Sequence, residues 1–286
     1  MDFIAHFLNP LLMILMPLGL GVFLARRLKV SWGLFFIGAA AFIGSQILHI
    51  PFNAWVLGPA LQSLEGAVPA RALTIITALA LGLSAGIFEE TARYLSIRSR
   101  SPGERTWPNA VMIGAGHGGV ESILLGLLVF YGFFQALALL DADLAALGIQ
   151  DQRALVEAQL EAYWSAPWHL TLLGAFERAS AMAFQISLSV IVLQVFVRRS
   201  WLWLGLAIGA HTLVNAAALL ALQRWGPYWT EAVLLGMAVL AIYLVFRLRP
   251  AEEPARAEPP EAPPRHAGEA AQAELQPDQL EDSRYV

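Results

Sequence analysis

Two glutamates and an arginine sit where an apolar chain has no ordinary use for them. Ile87-Phe88-Glu89-Glu90-Thr91-Ala92-Arg93-Tyr94 lies inside an apolar run from about 70 to 97. One charge near the middle of a bilayer-length helix costs roughly 2.5–3.5 kcal/mol on insertion scales. On a helix Glu89 and Arg93 are four apart, and Glu90 and Arg93 three, so one carboxylate can satisfy the guanidinium. The other is left over, and a desolvated carboxylate without a cation of its own is a candidate base. Two imidazoles follow further along. His117 lies in Gly114-Ala115-Gly116-His117-Gly118-Gly119-Val120-Glu121, and His211 in Gly209-Ala210-His211-Thr212-Leu213-Val214-Asn215. Between them come Glu177-Arg178 and Gln185.

These groups need helices to hold them, and composition says which kind. The chain has 286 residues, 57% apolar and 14% charged, whereas a soluble domain is nearer one quarter charged. The expected fold is all-α, a polytopic membrane protein with about seven spans at 6–25, 32–57, 70–97, 108–135, 167–197, 201–222 and 228–248. Each has the ~20 or more mostly apolar residues that a bilayer needs. Ten basic residues fall in the loops after spans one, three, five and seven, against Arg71, Arg153 and Arg224 on the other side. The positive-inside rule then puts the N-terminus outside and the C-terminus in the cytoplasm. The basic Arg26-Arg27-Leu28-Lys29 follows the first apolar run instead of preceding it, unlike a signal peptide. The outer segment 141–166, with Asp141, Asp143, Asp151, Glu157 and Glu161, is expected to include a short amphipathic helix.

Residues 1–249 are therefore expected to form the membrane domain, with a catalytic core at about 70–222. Residues 250–286 read as a disordered cytoplasmic tail rich in Pro, Ala and Glu. Nine of the 22 acidic groups lie in that tail, so the body is near neutral, which argues against nucleic acid as a partner. The expected partners are the lipid bilayer and a membrane-associated polypeptide. The expected location is the cell membrane, with a bacterial source. There is no cysteine, which removes disulfides, thiolate ligands and thiol nucleophiles together.

Helix rise alone allows depths to be compared. Counting from the cytoplasmic ends, Glu89 and His117 are each about 13 Å deep and His211 about 15 Å. Glu121, Gln185 and Asn215 form a second layer at about 20 Å. The pairs His117–Glu121 and His211–Asn215 are each four apart and point the same way. The glycines around His117 let another helix come close. Glu177-Arg178, near 30 Å, reads as a structural ion pair at the outer surface. Gln46, His49 and Asn53 read as an interhelical hydrogen-bonding stripe, with His49 at about 28 Å and off the main layer.

The motifs Glu-Glu-x-x-Arg-Tyr, His-Gly-Gly-x-Glu, Glu-Arg with Ser-x-x-Val, and His-Thr-Leu-Val-Asn, in that order, resemble the YhfC family of intramembrane peptidases. The resemblance implies a place beside the CAAX-processing, bacteriocin-processing (abortive-infection) and PrsW-like proteases, and a CAAX-protease-like helical core. It makes Glu89 and His117 a water-activating pair and His211 with Asn215 the oxyanion stabilisers, with Glu90 and Arg93 holding the site together. The wider group has three residues before the arginine where this chain has two, and Gln185 stands where family members tend to have histidine.

The chemistry of the residues fits the same roles. Peptide hydrolysis needs a base for water and a donor for the tetrahedral oxyanion. Glu89 can be the base, His117 can orient the water, and a neutral His211 with the Asn215 amide can donate. Glu90, Arg93, Glu121 and Gln185 support them. This glutamic scheme needs no cofactor. The alternative is zinc on His117, Glu121 and His211, whose ligand types suit that metal, although the chain lacks His-Glu-x-x-His. A nonenzymatic scaffold or a proton-relay transporter is the reading from another class. The chain shows no repeat of the kind that many transporters carry.

Overall fold

Inside a bilayer an apolar segment satisfies its peptide groups internally only as a helix or a closed barrel, and these segments take the first form. The computed structural model describes residues 2–140, 142 and 150–250. Within them the chain is helical: α1 (Asp2–Leu28), α2 (Trp32–Phe52), α3 (Gly58–Gln62), α4 (Ala70–Arg98), α5 (Trp107–Ala138), α6 (Arg153–Trp164), α7 (Trp168–Thr171), α8 (Leu173–Val197), α9 (Leu202–Trp225) and α10 (Pro227–Arg247). Among the described residues seven stretches are long and apolar enough to cross a membrane, so the expected count stands. The second is the least regular. Pro51 lies inside α2, a π-helical turn follows at Asn53–Leu57, and α3 carries the span on to Gln62. The fifth is interrupted between α7 and α8. The tail 251–286, together with Asp141 and Asp143, lies outside the described residues.

Local chemistry sets the ends. Lys29 adopts a left-handed backbone (φ 54°) and turns the chain out of α1. Ser31 then caps α2 by accepting from the Gly33 amide at 3.1 Å. Pro108 and Pro227 occupy first-turn positions, where a missing N–H costs nothing.

α5 runs through the middle and packs on α1, α2 and α8, while α4 lies between α2 and α9, and α10 closes against α8 and α9. Glycine makes the tightest contacts possible. A Cβ on Gly116 would fall 1.9 Å from the Phe35 carbonyl oxygen, and one on Gly38 would fall 1.9 Å from the Ile113 oxygen. The α2–α5 pair is therefore held at backbone contact from both sides. Gly82 and Gly86 do the same for α4 against the Thr212 and Ile208 carbonyls of α9.

The apolar core is not spread evenly. Its fully buried members include Ile97, Met112, Ile113, Leu188, Val192 and Leu193. All lie in the halves of α4, α5 and α8 that the loop charges assign to the cytoplasmic side. At the opposite end of the bundle α6 is the expected short helix. Trp164 stacks on Phe3 with ring centroids 5.9 Å apart and meets Phe133 edge-on, and Tyr163 stacks on His6 at 4.2 Å.

Candidate functional site

Arg93 is wholly buried and shows how the site is built. Its Nε donates to Glu90 Oε2 at 2.9 Å and Nη2 to Glu90 Oε1 at 3.3 Å. Nη1 donates to Ser189 Oγ at 2.8 Å and to the Gln185 carbonyl at 3.2 Å, and Nη2 also bonds Gln185 Oε1. That gives five bonds for the five donors of a guanidinium. Glu90 is the partner expected for Arg93, and it has a second task. Its Oε1 lies 2.8 Å from His211 Nδ1. A carboxylate only accepts, so the His211 proton sits on Nδ1.

Glu89 is the carboxylate without an arginine. Its Oε2 is 3.1 Å from His117 Nε2 and 3.8 Å from His211 Nε2, and it accepts from Gln185 Nε2 at 3.4 Å. Its Oε1 accepts from Gln46 Nε2 at 3.2 Å. α4, α5 and α9 thus bring Glu89, His117 and His211 together. With Nε2 turned to Glu89, the buried His117 Nδ1 has no hydrogen-bond partner among the described residues.

Four placements differ from the expectations. A neutral His211 with its proton on Nδ1 cannot also donate from Nε2, so the oxyanion role expected of it requires both nitrogens protonated. Gln46 belongs to the site: it is three residues, about 4.5 Å, closer to the level of Glu89 than His49 is, and its amide reaches Glu89 directly. Its Oε1 faces His49 Nδ1 at 3.3 Å, and His49 Nε2 meets Ser84 Oγ at 3.0 Å. The stripe is interhelical, as expected, but it ends on Glu89. Arg178 is not confined to a pair with Glu177. It also donates to Glu121 Oε1 at 2.8 Å, and Glu121 Oε2 accepts from Gln185 Nε2 at 3.0 Å. Glu121 is thereby committed to Arg178 and Gln185, and Glu89, not Glu121, is the carboxylate between the two imidazoles.

A cavity of about 120 Å³ reaches Glu89 and His211 and continues past Asn215 to Glu121, Arg178 and Glu177. Asn215 lines it, is exposed, and makes no hydrogen bond among the described residues. Its amide is free for a ligand. Glu231, at the outer end of α10, is 8% exposed, and its Oε2 has no partner among the described residues. Glu231 stands outside the four motifs and is missed by the sequence reading; its position in an apolar span is the signal that could have found it.

Among the described residues no group of three or more His, Asp or Glu side chains stands ready-made to hold a metal ion. The nearest arrangement is Glu89 Oε2 with the two Nε2 atoms. Its donor types suit zinc, and the Glu90 bond to His211 Nδ1 is the outer support that a ligating histidine normally has.

The profile of the YhfC intramembrane metalloprotease family matches residues 12–244. A Bacillus subtilis (strain 168) protein described as an uncharacterized membrane protein, YhfC, is 35% identical over 245 residues, covering 81% of this chain and 89% of that one. No solved structure matches the chain. The family match takes in α4, α5, α8 and α9 with every residue of the Glu89 cluster, and the chain belongs to the YhfC family of membrane proteins.

Proposed function

We propose that the protein is an intramembrane peptidase that hydrolyses a peptide bond of a membrane-associated polypeptide, with Glu89 as the base. The carrying observation is the position of Glu89 Oε2, 3.1 Å from His117 Nε2 and 3.8 Å from His211 Nε2, at the inner end of a cavity. In a chain of apolar helices this is the exposed edge of an otherwise sealed ionic cluster.

Each residue then has a task. Gln46 holds Oε1 of Glu89, and His117 and Gln185 hold Oε2, which fixes the carboxylate in the cavity wall. A water held there gives its proton to Glu89 as its oxygen attacks the scissile carbonyl, and Glu89 returns that proton to the leaving amine. The developing oxyanion needs donors that are already in place. The Asn215 amide is one. His211 is the other, as an imidazolium bonded to Glu90 through Nδ1. Glu89, Glu90 and Arg93 sum to one negative charge, so a proton on His211 leaves the cluster neutral. Arg93 holds Glu90, and Glu90 holds His211. The order of the four motifs supports a CAAX-protease-like core as part of the same reading.

A second reading puts zinc on the same centre. The bond from Glu90 to His211 Nδ1 favours it, as does the family's description as a metalloprotease. Glu89, His117 and His211 would hold the ion. Bound there, zinc would polarise the carbonyl and ease deprotonation of water.

The test compares membrane-proteome N-termini in cells expressing wild type, Glu89→Gln and His211→Ala. New N-termini that appear with wild type and vanish in both variants are the expected result, and identical sets in all three would remove the peptidase reading. Metal content and chelation of the purified protein separate the two chemistries. Cleavage that survives exhaustive chelation points to Glu89 alone. Stoichiometric zinc, lost together with cleavage in His117→Ala and in His211→Ala, points to the metal.

A further inference from the structure

The two ends of the ionic cluster face very different surroundings. Toward the basic loops, Arg93 and Glu90 are fully buried, and so are Ile97, Met112, Leu188 and Val192, none more than 2% exposed. Ile97, Met112 and Val192 lie closer than Glu89 or His211 to the basic-loop end of their own helices, and Leu188 lies level with those two. The buried polar side chains of that half on α8, Ser187, Ser189 and Gln194, are hydrogen-bonded within the protein. A void large enough for a peptide is incompatible with such packing.

Toward the other side, exposure climbs along the carboxylates of the cluster and the cavity, while Glu231 on α10, off the cavity lining, stays 8% exposed. Side-chain exposure is 0% at Glu90, 9% at Glu89, 21% at Glu121 and 40% at Glu177. The cavity follows the same direction. From Glu89 it passes Phe184, Ala181 and Glu177 on α8, and Val214, Asn215 and Ala218 on α9. α8 runs outside to inside and α9 inside to outside, so both series lead from the cluster toward the end of the bundle that carries α6. Leu234 and Met237 of α10 form the third wall.

We infer that the Glu89 centre is served from the α6 side of the membrane. Water and the polypeptide substrate reach it through the cavity between α8, α9 and α10, and the substrate is a segment presented from the outer half of the bilayer. This rests on the peptidase reading for the word substrate, while the route itself rests on packing and exposure alone. Arg178, bonded to Glu121 and Glu177, stands along that route.

The chain has no cysteine, so single cysteines report without background. Ala181→Cys and Ala218→Cys line the route, and neither residue belongs to the catalytic set. Met112→Cys probes the packed half. Asp151→Cys and Ser101→Cys mark the α6 side and the basic-loop side. A membrane-impermeant maleimide is applied to intact cells and to inverted vesicles. Ala181→Cys and Ala218→Cys should label at least roughly tenfold faster from the side that labels Asp151→Cys, while Met112→Cys, reachable only through local opening, labels from neither. Labelling of the two route positions from the Ser101→Cys side, or from neither side, overturns the inference. The measurement needs no cleavage. Labelling from the α6 side without Glu89-dependent N-termini keeps the route and removes the peptidase reading.

Discussion

Glu89 and Glu90 are neighbours in sequence, about 100° apart on the helix, and differ in what their loss would undo. Glu90 binds Arg93 and His211 with both oxygens inside the protein. Glu90→Gln leaves a buried cation under-compensated, which typically costs about 3–5 kcal/mol, so the variant should accumulate poorly and melt early. Glu89→Gln keeps the shape and loses the base. It should fold, with turnover down by about 10² or more. Abundance, Tm and cleavage measured side by side check both, and a folded, inactive Glu90→Gln beside an unstable Glu89→Gln would swap the roles. The residues of this cluster were legible because charge inside an apolar run has few uses, and helix rise put Glu89, His117 and His211 at one level. Their pairing was not legible. A depth count fixes a position along the membrane normal, but it does not say how far a side chain reaches or how a helix tilts. For that reason Gln46 and Arg178 were read one layer away from the groups they bond.

Among the helices, the α2–α5 contact is the one that tolerates least. Gly116→Ala would place a methyl carbon on the Phe35 carbonyl, a 1.9 Å approach to backbone that cannot rotate away. Separating the helices exposes the His117 side of the site, so Tm and cleavage should fall together. Gly205→Ala is the control: it meets nothing within 4 Å, and a helical glycine replaced by alanine gains roughly 0.5–1 kcal/mol where space allows. Its Tm should hold or rise. A Gly116→Ala protein as stable as wild type would mean that the two helices are not in backbone contact. The glycine run around His117 did announce a close neighbour in the sequence. It could not name α2 and α8 as the neighbours, because pairing between distant helices leaves no periodic trace.

On the scale of the whole molecule, hydropathy alone located all seven spans, since a bilayer leaves so few alternatives. It did not reveal that the cavity beside Glu89 leads away from the densely packed basic-loop end. Alternating loop charge orients the bundle, and it predicts that Ser283→Cys and Ser101→Cys react with an impermeant thiol reagent only in inverted vesicles. Reaction of Ser101→Cys in intact cells would reverse the orientation. A soluble substrate added to the cytoplasmic face of purified, oriented proteoliposomes should go uncleaved, whereas one anchored in the opposite leaflet should be cut. Equal cutting from both faces would contradict the closed inner half.

The buried arginine also bears on how the protein is made. Three of the five bonds from Arg93 go to Gln185 and Ser189, 92 and 96 residues later in the chain. At about 5–20 residues per second a ribosome needs roughly 5–20 s to supply them. Through that interval α4 is complete while α8 is not yet synthesised. The arginine's partners within reach are then the two glutamates of α4 itself, and Glu90, three residues away, is the one that keeps the arginine in the finished fold. The ion pair that later orders His211 is thus first the means by which a nascent helix, still without its neighbours, can leave the translocon.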